Sequence, residues 1–176
     1  MKEHIIMVNG QLGGIFDPSI KYIFDSENGI DLIGSWLIDE QENAITSVTK
    51  TNNALVFTNT CTTSSNCFGY PYNEIPINIR SYNYVNIELT SNYKYVSTSD
   101  VAQYFRLVTV INPNVNGTPH NGTWLDGNTY TFTTNTTTKA YRFDVSGYKG
   151  GTFRINLRIP PKGSTLTITK VYLSHD

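Results

Sequence analysis

Apolar and polar residues alternate most regularly between residues 139 and 173. The apolar positions of one run are Phe153, Ile155, Leu157 and Ile159. Successive side chains of a β-strand point to opposite faces, so this run predicts a strand with one buried face and one polar face. A similar run, YRFDV at 141–145, precedes it, and the glycines of the intervening SGYKGG suit a turn. The two runs are therefore predicted to form an antiparallel unit.

The pattern changes phase in the last apolar run of the sequence. Pro160 and Pro161 end the preceding strand because proline cannot donate to a ladder. The next run has Leu166 and Ile168 in one phase, and Val171 and Leu173 in the other. This shift predicts a β-bulge near Thr169 or Lys170.

Shorter runs of the same kind predict further strands along the chain. They cover residues 22–24, 36–38, 44–50, 54–58, 82–89, 103–111 and 129–134. The runs 82–89 and 103–111 are expected to pair with each other, and residues 59–78 are expected to form the longest irregular loop, a feature that is often functional. With no long stretch of helical period, the sequence predicts an all-β protein with two antiparallel sheets packed as a β-sandwich.

The last half of the chain, from Tyr82 onward, resembles a known fold family. The segment YRFDVSGY, the following Gly-Gly, the alternating strand and the closing strand that ends in KVYL are similar to the last strands of jelly-roll carbohydrate-binding modules. Similar galactose-binding-like domains are attached to bacterial glycosidases or form small domains of tailed-phage tail and baseplate proteins. The resemblance implies a jelly roll, and it supports the fold more than any one function.

The first 20 residues show no clear period and are interpreted as an extended N-terminal arm, followed by a single β-sandwich domain at 21–176. The apolar residues of the arm favour a covered position, on this chain or on a neighbouring subunit, so a homo-oligomer is expected.

Composition narrows the range of partners and locations. The chain has 176 residues, 15% of them charged, and a formal net charge of −1, which gives no electrostatic reason to expect nucleic acid or an anionic membrane as a partner. No segment approaches the roughly 20 apolar residues of a transmembrane helix. The opening MKEHIIMVNGQLGG lacks a signal-peptide pattern, so synthesis in a bacterial host cytoplasm is expected.

Catalytic motifs are missing from the sequence. It has no G-x-S-x-G elbow, no H-E-x-x-H motif and no phosphate-binding glycine loop, so a protein without enzymatic activity is predicted. The alternative is a glycosidase in which the fold brings Asp126 together with Asp144 or Glu74.

No cofactor is predicted. The segment Asp25–Asp31 lacks the acid spacing of an EF-hand and is interpreted as a solvated turn. A structural calcium ion, as the resemblance allows, could still use oxygens that only the fold brings together. Cys61 and Cys67 are close enough for a small disulfide loop, although a cytosolic origin argues against one.

Two segments combine the residue types that bind sugars. Sugar rings stack their C–H faces on aromatic side chains, and their hydroxyls bond to amides and carboxylates. The candidate glycan-binding residues are Tyr70, Tyr72, His120, Asn121, Trp124 and Asp126. The alternatives are a core position for Trp124 and a subunit contact for the two tyrosines. Trp36, within an apolar run, is interpreted as a core residue.

Four arginines fall on polar positions of the predicted strands, namely Arg106, Arg142, Arg154 and Arg158. Together on one sheet face they could hold an acidic glycan, whereas the alternative is a solvated face balanced by Glu88 and Asp144.

The favoured hypothesis is a non-enzymatic structural protein of a bacteriophage virion, located in the tail, the baseplate or a head appendage. It would contact other virion proteins and attach to a host-surface glycan. The alternatives are a capsid-decorating or cementing protein without a sugar ligand, and a carbohydrate-binding module of a bacterial polysaccharide-degrading system.

Overall fold

The computed structural model describes residues 7–8, 11–12, 19–39, 46–51, 54–60, 70–75, 77–79, 81–92, 105–111, 123–124, 129–130, 138–148, 152–157 and 163–176. Regular structure in these residues consists of strands and one 3-10 turn, Ser146–Tyr148. The strands are β1 (Met7–Val8), β2 (Gln11–Leu12), β3 (Ile20–Asp25), β4 (Ile30–Asp31), β5 (Trp36–Asp39), β6 (Thr46–Thr51), β7 (Ala54–Asn59), β8 (Tyr70–Asn73), β9 (Ile77–Asn78), β10 (Tyr84–Ser91), β11 (Phe105–Ile111), β12 (Thr123–Trp124), β13 (Thr129–Tyr130), β14 (Lys139–Asp144), β15 (Thr152–Leu157) and β16 (Ser164–Ser174).

Sheet 1 is organised around β16. Its strands follow the order β14-β10-β16-β3-β4, and β7 and β6 continue it beside the first half of β16. One edge of β16 pairs with β10 from Leu166 to Ser174, while the other edge pairs first with β7 and then with β3. All of these pairs are antiparallel.

The predicted bulge lies where β16 changes partner. Ile168 is opposite Leu89 and Lys170 is opposite Glu88, so Thr169 is the extra residue. Its hydroxyl donates to the carbonyl of Glu88 at 3.3 Å. The bulge restores the buried face, since the apolar residues before and after it are all buried, namely Leu166, Ile168, Val171 and Leu173.

Sheet 2 follows the order β12-β11-β15-β8-β5, with β13 paired to β11 and β9 paired to β15. The apolar faces of the two sheets meet in one core. That core includes Val85, Ile87, Leu89 and Phe143 from sheet 1, and Ile77 and Ile155 from sheet 2. Trp36 of sheet 2 packs its ring edge-on against Phe57 of sheet 1, with 4.6 Å between ring centroids. The predicted β-sandwich is therefore confirmed, and the contact of Trp36 agrees with its predicted core position.

Two predicted strand pairings are wrong. The runs at 139–145 and 153–159 do not pair, because β14 belongs to sheet 1 and β15 to sheet 2. Likewise β10 pairs with β14 and β16, whereas β11 belongs to sheet 2. An alternating pattern specifies which face of a strand is buried, and it leaves open which strand lies beside it. In both cases the two runs belong to different sheets.

The segment 59–78, predicted as an irregular loop, contains β8 and β9. In the predicted arm, β1 pairs with β2, and β3 already begins at Ile20. The rest of the arm lies outside the described residues, so the domain division at residues 20 and 21 stays a prediction. The described residues include no helix of the length and apolarity needed to cross a membrane.

Candidate functional site

Tyr70 and Tyr72 lie in strand β8, not in a loop. Because successive residues of a strand alternate between faces, positions 70 and 72 share one face. Pro71 and Asn73 are buried and share the other. The two tyrosine positions therefore lie on the outer face of sheet 2.

Backbone register extends this face in both directions from Tyr72. On one side Leu37 of β5 lies directly opposite Tyr72, and its side chain is 39% exposed. On the other side Asn156 of β15 lies opposite Tyr72. Residues directly opposite each other on neighbouring strands share a face, so the position of Tyr72, which is half-buried, lies between the positions of Leu37 and Asn156.

The same face continues to the far edge of sheet 2. Arg154 has the same strand phase as Asn156, and Thr109 of β11 lies opposite Arg154. Trp124 of β12 lies in turn opposite Thr109. We refer to the positions Leu37, Tyr70, Tyr72, Trp124, Arg154 and Asn156 as the sheet-2 face. Three predicted site residues, Tyr70, Tyr72 and Trp124, thus lie on one face of one sheet.

The remaining predicted site residues, His120, Asn121 and Asp126, lie outside the described residues, as do Cys61 and Cys67. The role of His120, Asn121 and Asp126 in glycan binding stays a prediction.

The side chain of Asn73 forms two hydrogen bonds that position strand β8, which carries the two tyrosines. This side chain is fully buried. The Asn73 Oδ1 accepts a hydrogen bond from the Ile155 N–H at 2.6 Å, and its Nδ2 donates to the Ile75 carbonyl at 2.5 Å. The first bond holds β8 against β15 beside the pair Tyr72–Asn156, and the second fixes the turn that follows β8. Sequence reasoning missed both Asn73 and Leu37, because their roles follow from the strand register.

The prediction that four arginines share one sheet face is wrong. Arg142 lies on β14 of sheet 1, whereas Arg106 and Arg154 lie on strands of sheet 2. Arg158 lies outside the described residues. The guanidinium of Arg142 lies 3.5 Å from the centre of the Tyr84 ring, a cation–π contact.

The carboxylates around the β3–β4 turn already have protein partners. Both oxygens of Asp25 accept hydrogen bonds, from the backbone of Glu27 and from the backbone and side chain of Asn28. Asp31 pairs with Lys50, and these residues line a cavity of about 480 Å³. Among the described residues, no group of three or more acidic, histidine or cysteine side chains is placed to hold a metal ion.

A hydrogen bond also fixes the 3-10 turn that follows β14. The backbone N–H of Ser146 donates to Asp144 Oδ1 at 2.9 Å. This interaction with Ser146 lowers the pKa of the Asp144 carboxyl below its ordinary value. The turn therefore redirects the chain from sheet 1 towards sheet 2 with its first N–H satisfied.

Comparison with known proteins shows the fold. No protein family model matches the chain, and no curated protein matches it in sequence. A family 11 carbohydrate-binding module from Clostridium thermocellum, solved in complex with a β-1,3-1,4-mixed-linked tetrasaccharide, is similar in structure, with a TM-score of 0.57, 14% identity, and coverage of 88% of this chain and 95% of that chain. The family 11 module of a cellulosomal cellulase from the same organism gives a TM-score of 0.56 and 16% identity, with coverage of 89% of this chain and 95% of that chain.

A variant of a family 29 carbohydrate-binding module gives a TM-score of 0.51, 10% identity, and coverage of 89% of this chain and 91% of that chain. At these identities the likeness is one of fold alone. The predicted jelly-roll β-sandwich is confirmed, and the resemblance to phage tail and baseplate domains stays a prediction.

Proposed function

We propose that this protein is a non-catalytic glycan-binding module whose ligand lies across the sheet-2 face. The observation that carries the proposal is the register that puts Tyr70, Tyr72 and Trp124 on one sheet face. The fold shared with carbohydrate-binding modules supports it. The predicted residues His120, Asn121 and Asp126 belong to the proposal as additional hydrogen-bonding groups.

The dimensions of the face match an extended oligosaccharide. Five strands from β12 to β5, about 4.8 Å apart, give a platform about 19 Å wide. A glycan that crosses the strands would meet aromatic residues near both edges and Arg154 and Asn156 between them. Aromatic rings would stack on sugar C–H faces, and the polar groups would bond to hydroxyls. Binding in this way requires no bond to be made or broken.

The chemical character of the ligand follows from the overall charge. A net charge of −1 spread over 176 residues provides no strong field to attract a polyanion. A neutral polysaccharide is therefore the proposed ligand class.

The binding test compares Tyr72→Ala and Trp124→Ala with Tyr72→Phe. Isothermal titration would use soluble β-1,3-1,4-mixed-linked glucan, xylan and mannan as ligands. Loss of an aromatic ring should cost about 1 kcal/mol or more, which is an affinity at least about fivefold weaker. Tyr72→Phe keeps the ring and should bind nearly as well as the wild type.

Leu32→Ala serves as the control, because Leu32 is 57% exposed and lies in the β4–β5 connection, outside the sheet-2 face. Its affinity should equal that of the wild type. Unchanged affinity in both Tyr72→Ala and Trp124→Ala would contradict the proposed site.

We also propose, as the biological setting, a tailed-phage virion in which the module attaches the particle to a host-surface glycan. Support for this setting comes from the sequence resemblance alone, and a module of a bacterial polysaccharide-degrading system suits the structural neighbours equally well. Neighbouring genes for tail and capsid proteins would favour the virion, and glycosidase genes would favour the degrading system.

A capsid-cementing protein without a sugar ligand predicts a different result in the particle. Tyr72→Ala would then disturb particle assembly and leave adsorption to host cells unchanged, whereas the glycan-binding proposal predicts intact particles that adsorb poorly.

A further inference from the structure

The outer face of sheet 1, on the opposite side of the sandwich, carries a second group of aromatic and polar side chains. The register aligns four of them in one row across four strands, in the order Arg142, Asn86, Tyr172 and Tyr22. Tyr84 and Ser174 form the adjoining row. We refer to these six residues as the sheet-1 face.

Two tyrosines form an aromatic surface at one end of the row. The rings of Tyr22 and Tyr172 lie 5.5 Å apart between centroids, tilted by 44°. Tyr22 is 36% exposed, so part of this surface faces solvent. At the other end the guanidinium of Arg142 packs on the ring of Tyr84. The row therefore has two hydrogen-bonding residues on one side and two tyrosines on the other.

A buried polar floor lies between the two ends. Asn86 and Ser174 are only 6% and 4% exposed, although both lie on the outer side of the sheet. The Asn86 Nδ2 donates to Ser174 Oγ at 2.9 Å, and the Ser174 hydroxyl donates to the Asp176 carbonyl at 2.8 Å. These bonds fix the amide of Asn86 and the hydroxyl of Ser174 between the two ends of the face.

The ionisable groups around the row balance each other. Arg142 is flanked by Asp144, and Lys170 bonds to Glu27 at 3.2 Å, which raises the pKa of the lysine. Burial and the nearby carboxylate of Glu88 raise the pKa of Tyr172 above its ordinary value. At neutral pH the Tyr172 phenol is therefore an uncharged hydrogen-bonding group.

We propose that the sheet-1 face is a second binding surface for a neutral glycan. The charges around the row argue against a polyanion. The two cations, Arg142 and Lys170, are accompanied by three carboxylates, those of Glu27, Glu88 and Asp144, so no positive surplus remains. The six residues of the face carry phenols, a guanidinium, an amide and a hydroxyl, which are groups that stack on the C–H faces of sugar rings and hydrogen-bond to sugar hydroxyls. The inference rests on the proposed function, because it assumes the same class of ligand.

The consequence of two such faces is bivalent binding. The faces point away from each other because the apolar sides of both sheets meet in the core. One molecule could thus hold two polysaccharide chains at once, and binding to a dense glycan surface would gain avidity beyond the affinity of either face.

The experiment separates the two faces by mutation. Tyr22→Ala with Tyr172→Ala disables the sheet-1 face, Tyr72→Ala disables the sheet-2 face, and a triple variant disables both. Titration with short oligosaccharides of mixed-linked β-glucan, xylan and mannan gives the number of sites. We expect two sites in the wild type, one in each single-face variant and none in the triple variant. The wild type should also cross-link the soluble polysaccharide, which is measured as turbidity. Each single-face variant should give at least tenfold less turbidity.

The single variants Tyr22→Ala and Arg142→Ala control for a folding defect in the double variant, because both side chains are exposed and their removal should leave the fold intact. Each should weaken the second site while the circular dichroism spectrum stays unchanged. A single site that Tyr72→Ala abolishes would overturn this inference and leave the proposed function standing. A single site that survives Tyr72→Ala and disappears with Tyr22→Ala would do the reverse.

Two other outcomes overturn the inference. If Tyr22→Ala leaves glycan binding unchanged and lowers the molecular mass in sedimentation, the face is an interface with a second copy of the chain. A wild-type protein that binds none of the three polysaccharides contradicts both proposals.

Discussion

At the residue scale, Gly34 allows the segment before β5 to pass close to the segment after β8, at the end of the sheet-2 face. Its φ of +75° lies in the left-handed region that favours glycine, and a Cβ built on it would lie 2.7 Å from Ile75 Cδ1. Gly34 precedes β5 and Ile75 follows β8, and the N–H of Glu74 donates to the carbonyl of Ser35 at 2.9 Å between the same segments. The chain therefore passes close beside itself next to the Leu37–Tyr72 pair.

We predict that Gly34→Ala destabilises the fold more than Gly29→Ala does. Gly29 has a φ of +67° and open space around its Cβ position, so alanine there incurs only the left-handed strain, about 1–2 kcal/mol. Alanine at Gly34 adds a close approach to the terminal Cδ1 of Ile75, and because that side chain is 53% exposed and can rotate, the added cost should be small, about 1 kcal/mol or less. Urea unfolding measures both, and Ile75→Ala, at an exposed site, should remove the difference when combined with Gly34→Ala. Equal destabilisation by the two glycine variants would contradict this account.

At the element scale, β16 holds sheet 1 together through its bulge. On one side of Thr169 the strand pairs with β7, and on the other it pairs with β3. The carbonyl of Thr169 accepts a hydrogen bond from the N–H of Ser26 at 3.1 Å. The extra residue lets an 11-residue strand keep its apolar side chains in the core while its second partner changes.

Deletion of Thr169 should be tolerated better than deletion of Thr167. Without Thr169, Ile168 and Lys170 become neighbours that match Leu89 and Glu88 in regular register, and no apolar residue leaves the core. The cost is about two hydrogen bonds, on the order of 1–3 kcal/mol. Deletion of Thr167 forces Leu166 or Ile168 out of the core and should cost up to about 5 kcal/mol. Urea unfolding of the two variants tests this, and a smaller loss for the Thr167 deletion would refute it.

The same strand shows how far sequence alone determines the elements. The shift in apolar phase between Ile168 and Val171 was sufficient to predict the bulge, because burial of one face is a local property of alternation. Pairing of β14 with β10 instead of β15 depends on contacts between residues far apart in sequence, and no local pattern encodes it. Strand β8 was missed because its four residues YPYN include a proline and show no apolar alternation.

At the scale of the whole molecule, the two sheets share a single core. Phe57 of sheet 1 is fully buried and contacts Trp36 of sheet 2, so neither sheet can keep its apolar face covered alone. The candidate site depends on this arrangement: aromatic residues could be identified from composition, but only the assembled sheet places Tyr72 between Leu37 and Asn156.

We expect the described domain to unfold in one cooperative transition, and Phe57→Ala to lower the free energy of unfolding by about 3–5 kcal/mol. Thr58→Ala is the matched control, because the neighbouring side chain is only partly buried, and it should cost less than about 1 kcal/mol. Denaturation followed by both circular dichroism and tryptophan fluorescence checks the prediction. Two separate transitions would show that the sheets fold independently.

The position of β16 in the chain also governs how the protein is made. All three of its partners, β3, β7 and β10, are translated before residue 164, and until that strand leaves the ribosome their inner edges have nothing to pair with. Nascent chains would therefore expose unpaired strand edges, and exposed edges promote aggregation and chaperone binding. Ribosome stalling before residue 164 should leave the nascent protein protease-sensitive, whereas the released chain that contains the whole of β16 should be resistant.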